Sequence, residues 1–583
     1  MAKPCCHRLM CYKMARRMRF TAEQLAQIFM VDDENESDVH DATDEEDNIE
    51  INSEEEDVVS NSDEDNDYEE QDEEDTPPIR GRSGYSWSER EPYKSSYRGR
   101  NNITMRPGLL PPTENLDTKC DFFNFFFDYT TMKLILDCTN KRLEDEEAEI
   151  TEEELQGFFG LLIYFGVTKK RDVDVEEIWS PGSIHYSQIA VATMSRTRFQ
   201  TISRRLTFDD IETRKERLRT RGKFYKMEDV FRRVVYKCKI GFEPYEQLCI
   251  DEQLYSFRGK CPFRQYMPSK PARYGLKYWA IVDVKTSYIL QADIYLGKEA
   301  HCGRAVNIGF NVASKLAQPY FQTNRGITTD NFFSSVSLVD FLWEHGLTFV
   351  GTMRKNKKEI PSSFLPNKSK EVNSSQFAFD GYKTLVSYTP KKNKSVILLS
   401  TEHHSKATVA AENNKPEIIL AYNNCKGGVD TLDKLVRSYS VRRKTMRWTF
   451  NCFMYLLDIA SYNAFVLHSH KHPTDTSSGN RRRRRFLEDL SQKLTQPCME
   501  ERVRKFQMSQ FRGVPQNVIT AIESCGMHIH RDSKVSDTRN PTQGRCYLCP
   551  RSADRKIKTL CANCLKHVCK NHCSIAVLCE KCE

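Results

Sequence analysis

Residues 32–75 contain no lysine and no arginine, but 25 aspartates and glutamates. A stretch so poor in apolar side chains cannot bury enough surface to offset the entropy of ordering. That excludes a packed core there and predicts a disordered acidic arm. With those charges set aside, the chain's formal +6 becomes +31 for the remainder. A body that basic points to a polyanionic partner, most often nucleic acid. A secretory leader is also missing, because residues 1–20 mix Cys, Met, Arg and Lys without a long apolar run. The longest apolar stretch, 449–467, is interrupted by Asn451, Asp458 and Asn463. It reads as a buried helix and not as a membrane span. No internal repeat is visible. Hydrophobic residues make up only 39% of 583, and a chain of this length divides into several domains. Disulfides are not expected to build the fold: 13 of the 21 cysteines are scattered, as in a reduced intracellular protein, while eight lie in the last 38 residues.

Along the chain the texture changes several times. Within the acidic arm (residues 1–100 as a region), Thr43, Ser53, Ser60 and Ser62 each have an acidic residue three positions on, a pattern suited to phosphorylation. The arm is either a solvating tail or an electrostatic competitor for the basic body, tightened by phosphorylation. Residues 101–246 are mainly helical. "ITEEELQGFFGLLIYFGV" opens with Thr151 and Glu154 at capping-box spacing, and "MSRTRFQTISRRLTF" has helical periodicity with Arg on its outer face. From 247 to 356 the pattern becomes strands, then a helix after "GITTDN", then the strand "LTFVGT". Residues 357–417 read as a small insertion. In 418–439, "EIILAYN" reads as a strand and "VDTLDKLVRSYS" as a helix. A further helical segment follows over 440–530, then a linker, 531–544. The order is α/β overall.

An aspartate stands near the end of each major block. Asp251 lies in the strand "LCIDEQ", Asp330 follows "GITT", and Asp430 and Asp433 begin the helix after "GG". Carboxylates in apolar strands are costly unless paired or metal-bound. Mg²⁺ is held by a few carboxylates, keeping waters and substrate phosphates as its other ligands, and a pair of such ions promotes phosphodiester cleavage. The competing reading makes Asp430 a helix cap and the others surface charge. Gly427 and Gly428 would admit a close backbone approach. Basic residues alternate with aromatics after the first Asp: Arg258, Lys260, Arg264, Lys270, Arg273 and Lys277. A second such stretch holds Arg442, Arg443, Lys444, Arg447 and Trp448. Both suit phosphates and unpaired bases, or else a solvated face with a core Trp. "RRRRR" at 481–485 reads as a nuclear localisation signal or a backbone contact.

The tail, 545–583, carries four ligand pairs: Cys546 with Cys549, Cys561 with Cys564, Cys569 with His572, and Cys579 with Cys582. These suffice for two tetrahedral structural Zn²⁺ ions, without which so short a segment hardly folds. Alternating pairs give a cross-brace; sequential pairing is the other arrangement. Cys573 is left over as a spare thiol. Such a module can recruit a ubiquitin-conjugating enzyme, read a chromatin tail or bind DNA, and the basic "PRSADRKIK" favours DNA.

The stretches "IDEQLYSFRGKCPFRQYMPSKPARYGLKY", "TTDNFFSS", "GTMRKNKKEIP", "KGGVDTLDKL" and "RRKTMRW", with the Cys/His tail, resemble piggyBac-type DNA transposases in the same order. The resemblance implies an RNase H-like catalytic core interrupted by an insertion and flanked by a helical dimerisation and DNA-binding domain in two segments. It places a catalytic, Mg²⁺- or Mn²⁺-binding triad on Asp251, Asp330 and Asp430, a further functional acid on Asp433 and an active-site tryptophan on Trp448. It also implies a nuclear homodimer that cuts element ends through hairpins and joins them at TTAA sites. The expected partner is double-stranded DNA, with neither a membrane nor a small-molecule substrate. The alternative is a domesticated DNA-binding regulator without catalysis.

Overall fold

Thr151 and Glu154 form the capping box that their spacing predicts. Each side chain accepts from the other residue's backbone N–H, and helix Glu152–Val167 starts there. The computed structural model describes residues 78–572 except 94–98, 144–146, 269, 298–307, 474–480, 509–512, 528–542, 554–555 and 561–565. The acidic arm, and the ligands Cys561, Cys564, Cys579 and Cys582, lie outside the described residues. All described residues belong to one compact unit, Thr76–Cys302 with Asn307–Glu583.

Six helices precede the sheet and matter below: α1 (Lys119–Phe126), α2 (Tyr129–Asn140), α3 (Glu152–Val167), α4 (Arg196–Arg205), α5 (Arg214–Arg221) and α6 (Tyr225–Gly241). The sheet has nine strands: β1 (Gln247–Ser256), β2 (Gln265–Tyr266), β3 (Tyr274–Asp283), β4 (Ile289–Ile294), β5 (Gly326–Thr329), β6 (Thr348–Thr352), β7 (Ser375–Asp380), β8 (Lys383–Tyr388) and β9 (Val396–Ser400). Their order is β7-β8-β9-β6-β5-β1-β3-β2, and β4 also pairs with β3. The centre, β6-β5-β1, is parallel; β3 and β4 continue it antiparallel. Central strands buried on both faces need continuous apolar runs, and "GITT" and "TFVG" are buried throughout.

Two expectations change here. The segment 357–417, read as an insertion, supplies β7–β9, and β9 pairs antiparallel with β6, so these strands extend the main sheet. "EIILAYN", read as a strand, is instead helix α8 (Glu417–Lys426), with Pro416 just before its first turn. Ile418, Ile419 and Tyr422 share one helical face and bury against Val350, Val386 and Leu398. A short apolar run fits both periodicities, and here the tertiary partner decides.

After helix α7 (Val336–Glu344) and the remaining strands come α8, α9 (Gly428–Ser438), α10 (Trp448–Lys471) and α11 (Arg482–Met508). Helix α10 is the apolar stretch read as a buried helix. It is long and apolar enough to cross a membrane, yet 94% of its most apolar window is buried inside the protein. The three polar residues that interrupt the run each make hydrogen bonds: Asn451 donates to the Ser256 carbonyl, Asn463 bridges both backbone groups of Ile289, and Asp458 accepts from Tyr255, Ser440 and Val441. Helix α11 lies against α3, hundreds of residues earlier. A side chain at Gly160 would come within 2.8 Å of Thr495 and 2.9 Å of Leu494. Helices before and after the sheet therefore share one core.

Candidate active site

The parallel register of β1 and β5 pairs Ile250 with Thr329. The next residues on the two strands are Asp251 and Asp330, so the two acids stand side by side, about one strand spacing apart (~4.8 Å). Both carboxyls are pushed up. Burial is the main cause for each. Glu252 and Asp330 add repulsion at Asp251, and Glu252 does so at Asp330, whose carboxyl reaches about 6. The Phe332 N–H donates to Asp330 Oδ1 at 2.9 Å, which fixes its rotamer.

Helix α9 brings the other two acids. A Cβ on Gly428 would lie 2.8 Å from Cys249 Cβ and 3.1 Å from Val282 Cγ2, so only glycine lets the helix sit this close to β1 and β3. Gly427 has no such role; its nearest neighbour, Thr431 Oγ1, is 3.8 Å away. Asp430 lies in the first turn and caps nothing, because Gly427 is the N-cap and no side-chain cap bond is present. It is exposed and accepts from Lys270 Nζ at 3.1 Å. Asp433 accepts from Gln253 Nε2 at 2.8 Å, and the Tyr455 hydroxyl donates to Gln253 Oε1 at 2.9 Å. Gln253 shares the β1 face of Asp251, since side chains alternate along a strand. Burial pushes the Asp433 carboxyl up to about 6. Lys270 is half-buried, which disfavours its charge, but Asp251 and Asp430 outweigh that and raise its affinity for the proton.

Asp251, Asp430 and Asp433 thus all act on Lys270, and two further neighbours that sequence reading missed join the four acids. Glu252 sits beside the pair and is held by Lys277 Nζ at 3.6 Å. Arg354, which also acts electrostatically on Asp330, donates to Asn331 at 3.3 Å. The signals were present, "DE" in β1 and "GTMRKN" after β6, but adjacency along the chain does not reveal which face a residue takes.

The transposase IS4 family model matches residues 118–465, more than half of the chain. The chain belongs to the piggyBac-type transposase family. A solved piggyBac transposase synaptic complex with hairpin DNA superposes with a TM-score of 0.69 at 30% identity, covering 82% of this chain and 100% of that one. The human piggyBac transposable element-derived protein 3 is 23% identical over 375 residues, 60% of this chain and 61% of its own. The human piggyBac transposable element-derived protein 2 is 23% identical over 383 residues, 59% of this chain and 60% of its own. The matches therefore span about three fifths of these curated relatives.

In this piggyBac-type chain the basic residues divide by what they touch. Arg258, Lys260, Arg264, Arg273 and Lys444 are exposed, and Arg442 is half-buried. Lys270 and Lys277 are held by Asp430 and Glu252. Two arginines also bond to the protein's own backbone. Arg443 donates to the carbonyls of Lys170 and Val173, and Arg447 to those of Ser203, Arg204 and Leu206. The Arg447 guanidinium satisfies carbonyls left open where α4 ends, and that of Arg443 ties down the loop after α3. Trp448 opens α10 and packs on Phe224 and Phe263. The outward Arg face expected on α4 is partly spent too, since Arg198 ion-pairs with Glu154.

In the tail, Cys546, Cys549, Cys569 and His572 place their ligand atoms within 4.8 Å of one another. These are the first and third of the four pairs. The donor set suits zinc. Burial raises the Cys546 thiol, but backbone N–H donors, first that of Cys569 at 3.3 Å, outweigh it and bring the thiol down to about 6, while burial and the neighbouring sulfurs push the Cys549 thiol up to about 11.

Proposed function

We propose that this chain is a metal-dependent cut-and-paste DNA transposase. In this reading it cleaves element ends through hairpins, joins them at TTAA sites, and works as a nuclear homodimer. The observation that carries the reading is the meeting of Asp251 and Asp330 on adjacent parallel strands with Asp430 and Asp433 from α9. The sheet, in which antiparallel strands continue a parallel centre flanked by α8 and α9, supports an RNase H-like core.

The acids fit hard divalent cations. Crowding and burial make the carboxylates of Asp251, Asp330 and Asp433 costly, and the cationic groups near them do not offset it, since all three stay raised. Asp251, Asp330 and Asp430 would hold two Mg²⁺ or Mn²⁺ ions. When bound, these supply Lewis acidity at the scissile phosphate and an activated hydroxyl. The chain's own groups do the positioning. Asp433 is oriented by Gln253, which Tyr455 fixes in turn, so α9 is pinned to β1 by hydrogen bonds as well as by the Gly428 contact. Lys270 balances Asp430 and remains beside the site, where a substrate phosphate takes a cation. In the tail, a cross-brace with two Zn²⁺ ions gives a DNA-binding module.

The test is excision by the purified protein on DNA carrying its own element's ends, with Mg²⁺, read on gels for hairpins. Hairpins are expected from the wild type and not from Asp430→Asn or Asp330→Ala, both of which still bind DNA. A second reading, a regulator without catalysis, has support in the resemblance to human transposable element-derived proteins. Binding without cutting in Mg²⁺ or Mn²⁺ would establish it.

A further inference from the structure

Away from the carboxylates, the helical domain holds a concentration of positive charge that catalysis does not use. A cavity of about 200 Å³ is lined by Arg142, Arg214, Lys226 and Arg447, with the loop after α4 and the start of α10 completing its wall. These residues come from five places in the chain: Arg142 just past α2, Thr207 and Asp209 past α4, Arg214 from α5, Lys226 from α6, and Arg447 before α10. Four cationic side chains face a single acid, the buried Asp209, which Arg214 grips through both oxygens at 2.6 and 2.8 Å. The balance inside the cavity is about three positive charges in excess.

Local structure accounts for two of the four. Arg214 belongs to Asp209, and Arg447 ties down the end of α4. Arg142 and Lys226 remain. Arg142 donates to the Thr207 hydroxyl at 3.0 Å, and Lys226 lies over the ring of Tyr225. Neither makes an ion pair among the described residues. Cations crowd here at a cost. Burial lowers Arg142, Lys226 and Arg447, and repulsion from Arg214 and from one another adds to it, with Arg447 brought down to about 10. A fold stabilised only by Asp209 and the α4 carbonyls has no need of Arg142 or Lys226.

Helix α5 extends the same charge outward. Five of its eight residues are basic and none is buried. Arg217 and Arg221 are tied to Asp229, but Lys215 and Arg219, four apart and so on one face, are exposed and make no ion pair among the described residues. Arg214 joins the cavity to this helix.

We propose that the cavity receives one backbone phosphate of duplex DNA, held by Arg142 and Lys226 between the fixed guanidiniums of Arg214 and Arg447, and that Lys215 and Arg219 follow the same strand outward along α5. The inference rests on the reading of this chain as DNA-acting, and not on cleavage. The guanidiniums are already held in place, so little rotamer freedom is lost when the anion enters. Arginine forks match phosphate oxygens bidentately. The contact is sequence-independent, so it serves hold and register, while base choice is made elsewhere.

The experiment measures affinity of the full chain for a random-sequence duplex of about 30 base pairs across a salt series, because phosphate contacts set the salt slope. The variants are Arg142→Gln, Lys226→Gln and their pair, with Lys391→Gln/Lys392→Gln, two exposed lysines in the β8–β9 connection, as a control. The pair is expected to bind about tenfold more weakly at physiological salt and to flatten the slope by about one counterion, while the control matches wild type. Lys226→Gln alters a half-buried side chain without hydrogen bonds, so it keeps the fold and shows part of the effect alone. Unchanged affinity and slope overturn the proposal, and so does weaker binding at an unchanged slope. Free phosphate is the other source of the same anion. If excess inorganic phosphate raises the wild-type melting temperature but not that of the pair, and DNA slopes coincide, the site takes a free ion and the DNA assignment fails. Binding that responds as expected in a protein that cuts nothing would refute the transposase reading and leave this site standing.

Discussion

Asp458 shows how one buried acid ties the site's supports together. It sits on α10 and accepts from Tyr255 of β1 at 2.7 Å, Ser440 at 2.6 Å and the Val441 N–H at 2.8 Å. Burial pushes its carboxyl to about 6, against an unfolded value near 3.9. A folded value above the unfolded one means the stabilisation is full below about 4 and is lost as pH rises through 6. Asp458→Asn does not titrate. Between pH 4 and 7 the wild type should therefore lose about 2–3 kcal/mol more stability than the variant, read from urea unfolding by tryptophan fluorescence. Equal slopes with pH would show that Asp458 keeps its charge. At this scale the sequence was legible where chemistry is local. Asp251, Asp330, Asp430 and Asp433 all stood out at block ends, and all four meet. Gln253 and Tyr455 did not stand out, since their partners lie about 180 and 200 residues away and nothing in a glutamine advertises a carboxylate.

Single elements test the closeness of packing. Gly428 and Gly427 look equivalent in "KGGVDTL", yet only Gly428 meets a neighbour. Gly428→Ala should cost about 1–3 kcal/mol by overpacking. It should also slow cleavage about a hundredfold, since it lifts the α9 acids from β1, while DNA affinity holds. Gly427→Ala should be silent in both the melting curve and the excision assay. Equal effects would remove the argument for close approach. Legibility at this scale followed the strength of the local signal. The capping box at Thr151 marked α3 correctly. Helix α8 was missed because Ile418, Ile419 and Tyr422 fit a strand as well as a helix until Val350 and Leu398 are in place. Helix α5 escaped notice altogether, since "RKERLRTR" has no apolar face for periodicity to detect.

For the whole molecule, the tail and the body should respond separately to metal removal. With a strong chelator the tail is expected to become sensitive to protease beyond residue 531, and Cys546→Ser should do the same without chelator. The melting of the body should be unmoved; a matching fall in both would show that the module supports the rest. One feature of the body bears on how it is made. Helix α3 emerges early in synthesis, but its glycine-lined face closes only on Leu494 and Thr495 of α11. At about 5–20 residues per second, the ribosome needs roughly 20–70 s to supply that partner. Throughout that interval the nascent chain carries an open apolar groove, while the strands between can already pair. Helix α11, made hundreds of residues later, thus finishes the first domain begun, and a truncated message would yield a protein with a formed sheet and an unfinished helical half for chaperones to hold.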